Sequence, residues 1–324
     1  MKKRSLLAFA LITATGLGSL SAPAHAQGNW PARPVKLIVP YPAGGPVDQL
    51  ARTIAPRLGE VLGQSIVIEN KSGASGVIGM DAAIKAEPDG YTFGFGVPGG
   101  ITVLPHLQKM PYAVDEINYV SLVARIPQVI TVGPQVPVST LPELVAMAKA
   151  QPGKINYGSA GNVTTPHLGA ELLAQETGIK MQHVPYKGAA PAVTGLLGGE
   201  IQVLAADLPA VIGFSSRGVK ILAVASPRRS EALPDVPTTA EVGLPGVVNE
   251  SSYGLIAQKA TPPAITQKMR EALITTLNTP AVKEQLAKQG AVATSTTPDE
   301  YRKLMQSESA KWGALVKKAN ITLN

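Results

Sequence analysis

Residues 35–48 read VKLIVPYPAGGPVD and join an apolar run to a turn rich in proline and glycine. The apolar run, from Val35 to Val39, predicts a short buried strand that ends where prolines and glycines follow. Beyond Pro46, apolar residues recur at helical spacing as far as Leu62, which predicts an amphipathic helix. Proline suits the first turn of such a helix because its missing N–H would have no partner there. The stretch therefore predicts a strand, a tight loop and a helix in direct succession.

The same succession recurs along the chain. Strands at 65–69 and 91–95 with a helix at 77–86 between them indicate a parallel sheet. The middle of the chain repeats the alternation and is expected to form a sheet of its own, and helices are expected from Pro262 onward. The other predicted elements are a helix from Leu141 behind the capping box 140–143, strands at 154–157, 181–184, 201–205 and 219–224, a second glycine loop at 158–162, a helix opening at Thr165–Pro166 and a helix behind the capping box 297–300.

The first 26 residues have the composition of a secretory signal peptide. Basic residues at positions 2–4 precede an apolar run at 6–20, and Ala24-His25-Ala26 offers a small-residue cleavage site. We expect cleavage after Ala26 and release of the mature protein into the periplasm.

The composition excludes several classes of protein. The chain has 29 Lys+Arg, 22 Asp+Glu and a net charge of +7 without a long run of like charges, so no nucleic-acid surface is expected. The absence of cysteine excludes disulfides and thiolate metal sites. No later stretch reaches the roughly 18 apolar residues of a membrane span, so the mature chain is not expected to insert into a membrane. The three histidines that follow residue 26 stand far apart in sequence, and no metal or cofactor is expected.

Two glycine loops are candidate anion sites, one at 44–46 and one at 161–166. Each follows a predicted strand and precedes a helix, whose first N–H groups lack internal partners and lie at the positive end of the helix dipole. Glycine lets the main chain approach a carboxylate closely. Either loop alone could be an ordinary strand-to-helix turn, but two of them suggest a ligand held between two domains.

Polar side chains flank both loops. Asp48 could cap its helix or contact a ligand, since a carboxylate is favourable in the first turn. The hydroxyls of Ser159, Thr164 and Thr165 suit a carboxylate, and they equally suit turns and caps. His167 could donate to an anion or lie on the surface.

Asp207 follows an apolar run at 201–206, so it is expected at the carboxyl end of a strand, where ligand crevices open in α/β sheets. An exported hydrolase or isomerase that uses Asp48, Asp207 or His167 as acid or base stays an alternative. It is disfavoured because the sequence shows no nucleophile elbow, P-loop or zinc-protease motif.

Six motifs in fixed order resemble one known family. The sequence is similar to the substrate-binding proteins of tripartite tricarboxylate transporters, the Bug or TctC-like receptors of Gram-negative bacteria, over essentially all of the mature chain. The motifs are VPYPAGGPVD at 39–48, VIENK at 67–71, PDGYT at 88–92, INYGS at 155–159, HVPYKG at 183–188 and LPDVPT at 233–238.

The resemblance implies an α/β, periplasmic-binding-protein-like fold, in which two α/β lobes enclose a ligand cleft and are joined by a hinge. It implies a discontinuous first lobe, 27–126 with 226–324, and a second lobe, 127–225. In similar proteins two loops of the first lobe bind one carboxylate, the facing loop belongs to the second lobe, and the position of Asp207 lies near the far end of the ligand. The expected ligand-binding residues are Tyr41, Ala43, Gly44, Gly45, Asp48, Ser72, Ser75, Gly76, Ser159, Gly161, Asn162, Thr164, Thr165, His167 and Asp207.

The expected function is that of a periplasmic solute receptor that closes over a small carboxylic acid without covalent chemistry. Its partners would be the membrane subunits of a transporter or, alternatively, a signalling protein that reads the bound form. The low aromatic content, 4%, favours a small acid over a stacked sugar or nucleobase. Family analogy favours a monomer, and the sequence does not identify the acid.

Overall fold

Strands and helices alternate along the part of the chain that the structure, a computed structural model, describes, which is residues 30–318 and 321–323. The predicted signal peptide and its cleavage after Ala26 lie outside the described residues. The strands are β1 (Val35–Val39), β2 (Ile66–Asn70), β3 (Thr92–Gly96), β4 (Ile117–Val132), β5 (Asn156–Ser159), β6 (Gln182–Pro185), β7 (Val203–Asp207), β8 (Lys220–Val224), β9 (Glu250–Gln258) and β10 (Val292–Ala293). The helices are α1 (Pro46–Leu62), α2 (Val77–Ile84), α3 (Leu141–Ala150), α4 (Thr165–Thr177), α5 (Ala189–Gly198), α6 (Pro263–Asn278), α7 (Pro280–Lys288) and α8 (Pro298–Lys318).

All ten strands belong to one sheet, with the order β2-β1-β3-β9-β4-β7-β5-β6 and with β8 and β10 paired to β4. Parallel pairs join β1 to β2 and β3, and β5 to β6 and β7, whereas β4 and β9 pair antiparallel to their neighbours. The sheet is therefore mixed, with parallel strands at both ends and antiparallel strands in the middle.

The long strand β4 joins the two lobes of this fold. Its residues from Ile117 to Pro127 pair with β9, and those from Gln128 to Val132 pair with β7 and β8. We call β1, β2, β3, β9, β10 and the start of β4 the first lobe, and β5 to β8 with the end of β4 the second lobe. The middle of the chain forms its own set of paired strands, as expected, but this set is not separate, because β4 is long enough to hydrogen-bond with the strands of both lobes.

The cores follow the periodicities of the sequence. On α1, Leu50, Ile54 and Leu58 are buried, as the helical spacing predicts. On β7, alternate residues enter two different clusters: Val203 packs with α3 and α4 on one face of the sheet, and Leu204 packs with α5 on the other. The second lobe is thus a sheet covered on both faces.

The segment between β8 and β9 packs on the second lobe. Val236, Leu244 and Val247 join its two apolar clusters, and the Asn249 N–H donates to the Ala225 carbonyl at 2.8 Å. The expected division of the chain at residue 226 stays a prediction, and this packing leads us to propose that the second lobe extends to about Asn249.

Most predicted elements are confirmed within two residues, including the capping boxes. The Glu143 and Glu300 N–H groups donate to the hydroxyls of Thr140 and Thr297 at 3.3 and 3.2 Å. The sequence reading missed β4 and β9, which form the middle of the sheet, and the short β10, which lies in a region expected to be helical.

Helix α8 packs closely against strands β4 and β9 of the first lobe. Its Tyr301 and Trp312 are almost completely buried, and the Tyr301 ring lies edge-on to the Tyr119 ring with centroids 4.9 Å apart. A Cβ at Gly254 of β9 would lie 2.5 Å from the Tyr301 ring and 2.6 Å from the Ser121 carbonyl. Position 254 therefore has no room for a larger residue.

We predict that Gly254→Ala lowers the free energy of unfolding by about 1–3 kcal/mol, because both atoms facing the new methyl group are packed. The matched control is Gly198→Ala at the end of α5, where a Cβ meets nothing within 4 Å and where alanine favours the helix. Urea unfolding measures both variants. Equal stability of the Gly254 variant and the wild type would contradict the packing argument.

Candidate functional site

A pocket lined by residues of both lobes contains several of the expected site residues. It lies at the carboxyl ends of β1, β5 and β7. Its lining comprises Tyr41, Pro42, Ala43, Gly45, Pro46, Val47, Ala160, Thr164, Thr165, Pro166, Gly188, Ala189, Ala190, Pro191, Leu204, Ala205, Ala206, Asp207 and Tyr253.

Three helices begin at this pocket. The first residues of α1, α4 and α5 line it, and among the described residues no side chain caps the N-terminus of any of them. Helices α2, α6 and α7, which do not contribute to the lining, also lack a side-chain cap in the described chain, so the starts of α1, α4 and α5 are distinguished by meeting at one pocket. The first N–H groups of a helix need acceptors, and the helix dipole adds positive potential at the same end. The pocket is therefore suited to an anion.

Asp48 shapes the first of these helix starts and does not itself line the pocket. It is 1% exposed; its Oδ2 accepts hydrogen bonds from the Gly44 N–H at 2.8 Å and from Arg52 Nε at 2.7 Å, and its Oδ1 accepts one from Asn70 Nδ2 at 3.0 Å. Burial acts to raise the pKa of Asp48, but the hydrogen bonds from Arg52, Gly44 and Asn70 outweigh it and lower the pKa. The ionised carboxylate fixes the glycine loop.

The loop at 72–76 touches the facing loop of the second lobe instead of the pocket. Ser75 Oγ donates to the Asn162 carbonyl at 2.8 Å. Ala74, Ser75 and Val163 are the non-glycine residues with positive φ in the described chain, at 46°, 53° and 59°, and they lie in these two loops. Such backbone costs on the order of 1–3 kcal/mol per residue and clusters at functional sites.

A Cβ at Gly99, which follows β3, would lie 2.8 Å from the Val163 carbonyl. The first lobe therefore approaches the second-lobe loop at Gly99 as well as at Ser75. Together, these two contacts hold the lobes against each other beside the pocket.

His167 lies beneath the second-lobe loop, with its side chain 6% exposed. Its Nδ1 accepts a hydrogen bond from the Val163 N–H at 2.9 Å, and its ring stacks on the His183 ring with centroids 3.9 Å apart. His183 Nε2 lies 2.7 Å from Ser159 Oγ, which donates to the Gly161 carbonyl at 2.9 Å. His167 is thus neither a surface histidine nor part of the pocket lining; it supports the loop from inside.

Both imidazoles resist protonation. Burial, with a further contribution from His183, lowers the pKa of His167 to about 3, and burial lowers the pKa of His183 to about 4. At neutral pH both rings are uncharged, which is consistent with Nδ1 of His167 acting as an acceptor.

Asp207 lines the pocket from the end of β7. It is 4% exposed; its Oδ1 accepts a hydrogen bond from the Ser251 hydroxyl at 2.7 Å and its Oδ2 accepts one from the Tyr253 hydroxyl at 2.6 Å. Burial raises the pKa of Asp207 to about 6, against the lowering effect of hydrogen bonds from Tyr253, Ser251 and Gln128.

The structure brings six of the expected site residues together in the pocket lining and places the other nine around it. The six are Tyr41, Ala43, Gly45, Thr164, Thr165 and Asp207. The nine are Gly44, Asp48, Ser72, Ser75, Gly76, Ser159, Gly161, Asn162 and His167. Which of the fifteen contact a ligand stays a prediction.

Sequence reasoning missed a third wall and a contribution from β9. The wall runs from Gly188 to Pro191 at the start of α5, and Tyr253 reaches the pocket from β9. A signal for the wall was present, because Gly188 again stands between a strand and a helix. Tyr253 was not among the expected ligand-binding residues, and β9 itself was not recognised.

Two negative findings apply to residues 30–318 and 321–323. No helix in those ranges is long and apolar enough to cross a membrane. Within the same ranges, no group of three metal-ligating side chains lies close enough together to hold an ion.

Known proteins resemble this chain over nearly its whole length. A family model described as "Tripartite tricarboxylate transporter family receptor" matches residues 50–321. Protein BugT of Bordetella pertussis (strain Tohama I) is 35% identical over 311 residues, which cover 94% of each chain.

Two solved structures show the same fold. The R. palustris protein Rpa4515, solved with adipate, has a TM-score of 0.87 at 34% identity and covers 90% of this chain and 99% of its own. The periplasmic binding protein BugD has a TM-score of 0.83 at 32% identity and covers 90% and 99%. These matches confirm the α/β, periplasmic-binding-protein-like fold with two lobes.

We predict that the buried histidines make the protein less stable in acid. Because their folded-state pKa lies below the unfolded value, the unfolded chain binds more protons as pH falls through about 6.5. The resulting loss between pH 7 and pH 5 is about 2 kcal/mol per histidine. Protonation of Asp207, whose pKa is raised, stabilises the folded state in acid and so opposes the effect of the histidines. The measured quantity is therefore the loss of stability in the wild type minus the loss in the double variant His167→Asn, His183→Gln. The two amide side chains keep an acceptor and a donor at these sites.

Urea unfolding at both pH values measures this difference, with His106→Gln, at an exposed histidine, as the control variant. If the double variant loses as much stability on acidification as the wild type, the assignment of the two rings as neutral and buried is wrong.

Proposed function

The chain belongs to the tripartite tricarboxylate transporter receptor family, and from this premise we propose that it captures a small carboxylic acid in the pocket between its lobes and delivers it to the membrane subunits of a transporter. Family members are periplasmic receptors rather than enzymes. We further propose that residues 1–26 direct export and are removed after Ala26.

The observation that carries this proposal is the convergence of three uncapped helix starts from both lobes on one pocket. Their N–H groups can hydrogen-bond a carboxylate without any lysine or arginine. A micromolar complex requires about −8.2 kcal/mol, and hydrogen bonds to a charged group contribute about 1.5–3 kcal/mol each. A handful of such bonds is sufficient, even after part of the energy is spent on ordering the lobes.

The side chains at the pocket favour binding over catalysis. Asp48 and His167, two of the three residues considered as acid or base, are held in structural hydrogen bonds and do not line the pocket. Asp207, the third of these residues, therefore has neither of the other two beside it in the pocket lining as an acid–base partner. The bound adipate of Rpa4515 supports a carboxylic acid as the ligand class.

We propose that the lobes close over the ligand, with β4 and β9 as the connecting strands. The bond from Ser75 Oγ to the Asn162 carbonyl and the approach of Gly99 to the Val163 carbonyl require that the two lobes meet. An open form would lack both contacts and would expose a different surface, and a partner can respond only to states that differ in this way.

The test is isothermal titration calorimetry on protein that has been denatured, dialysed and refolded to remove any carried ligand. The titrants are mono-, di- and tricarboxylates and acidic amino acids. An acid that binds should also raise the free energy of unfolding by about 2.7 kcal/mol when its concentration is 100 times its dissociation constant. Correctly refolded protein that binds none of these acids would contradict the proposed function.

For an acid that binds, Ser75→Ala should weaken the affinity about two- to tenfold, because it removes one neutral hydrogen bond from the closed form and leaves the pocket lining intact. The exposed Ser307→Ala on α8 is the matched control and should bind as the wild type does. Unchanged affinity of the Ser75 variant would show that its bond to Asn162 does not contribute to closure.

A further inference from the structure

The pocket combines two features of opposite electrostatic character. The starts of α1, α4 and α5 supply N–H donors and positive dipole ends, whereas Asp207 supplies a carboxyl group. The partners of that group in the described chain are the hydroxyls of Ser251 and Tyr253 and the amide of Gln128. All three are neutral, so Asp207 lacks a compensating cation among them.

A carboxylate without a neighbouring cation, in a pocket suited to anions, limits which ligands can bind there. A ligand carboxylate at the helix starts satisfies the free N–H groups, and the remainder of the ligand then shares an enclosed site with Asp207. Two like charges in such a site oppose each other's ionisation, and the second carboxylate binds only with a proton or at a loss of affinity. A hydroxyl or ammonium group meets no such opposition.

Asp207 also has unused acceptor capacity. An ionised carboxyl can accept about four hydrogen bonds, and Asp207 accepts them from three groups, the hydroxyls of Ser251 and Tyr253 and the amide of Gln128. The other side chains of the lining are mostly apolar: Pro42, Val47, Pro191 and Leu204 are examples. A donor on the ligand therefore finds its best acceptor at Asp207.

On the basis of the proposed function, we propose that Asp207 determines specificity, selecting carboxylic acids that carry a hydrogen-bond donor, above all an ammonium group, at the end away from the bound carboxylate. Simple dicarboxylates of the same length are then disfavoured at alkaline pH. This selection distinguishes the pocket from a general dicarboxylate site and narrows the expected substrate class to amino and hydroxy acids.

The preference should depend on pH through Asp207. The titratable side chains that face it are Tyr41, which lines the pocket, and Tyr253 on β9; burial raises the pKa of both hydroxyls, so they stay neutral. Ser251 and Gln128, the other groups that contact Asp207, do not titrate. As pH falls from 8 to 6, Asp207 takes up a proton, which favours a dicarboxylate and weakens the attraction for an ammonium group.

The experiment compares matched acids by calorimetry at pH 8 and pH 6. The probes are adipate, 6-aminohexanoate and 6-hydroxyhexanoate, together with the shorter set of succinate, 4-aminobutanoate and 4-hydroxybutanoate. The proteins are the wild type, Asp207→Asn, and the control Asp299→Asn, which removes an exposed charge in the first turn of α8.

At pH 8 the wild type and the control should bind an amino or hydroxy acid at least about tenfold more tightly than the matched dicarboxylate. The ratio should fall on the order of tenfold toward pH 6, and Asp207→Asn should abolish most of it at pH 8. The wild-type pH comparison needs no variant, so the test stands even if Asp207→Asn folds poorly.

Equal or tighter binding of the dicarboxylate by the wild type at pH 8 would overturn the role of Asp207 while leaving the receptor function in place. A preference that Asp207→Asn retains in full would also overturn it. Failure of the refolded wild type to bind any of the six probes or any acid of the wider panel would overturn the receptor function and, with it, this inference.

Discussion

Three helix starts, which no described side chain caps, impose the strongest demand on the residues around the pocket. Helices α1, α4 and α5 begin at one pocket, and in the described chain none of the three has a side-chain cap. Free donors next to apolar lining are costly unless water or a ligand satisfies them. The surrounding features keep these donors available: Asp48 holds the Gly44 loop in place, and His167 supports the Val163 loop from inside.

A buried polar network connects the pocket to the strands that join the lobes. Asn249 Nδ2 donates to Gln128 Oε1 on β4 and to the Thr165 carbonyl at the start of α4, both at 2.8 Å. Ser251 on β9 donates to Asp207. The same few side chains thus contact a helix start, the pocket lining and both connecting strands. Such a network connects Asp207 to the region where the lobes are joined, and buried polar groups of this kind tolerate few alternative arrangements.

The sequence predicted what depends on local chemistry. The strand at 35–39, the helix from Pro46 and both capping boxes are confirmed, since periodicity, proline and cap residues act within a few positions. Strands β4 and β9 were missed because their near-continuous burial in the middle of the sheet leaves no alternation to read. The site divides in the same way. Thr164, Thr165 and Asp207 were placed by their position at strand ends and helix starts, whereas Tyr253 depends on a long-range pairing, and the buried stack of His167 on His183 unites residues that the sequence keeps apart.

If the two lobes come together around a carboxylic acid, as we propose, the distance between them must change when the acid binds. The chain contains no cysteine, so spin labels attach only to cysteines that are introduced. The double variant Glu60→Cys, Thr194→Cys provides one exposed labelling position on α1 and one on α5. Electron–electron double resonance then measures the separation with and without a saturating acid identified by calorimetry. We expect a shorter and narrower distance distribution when the acid is bound. Superimposable distributions at full saturation would contradict closure.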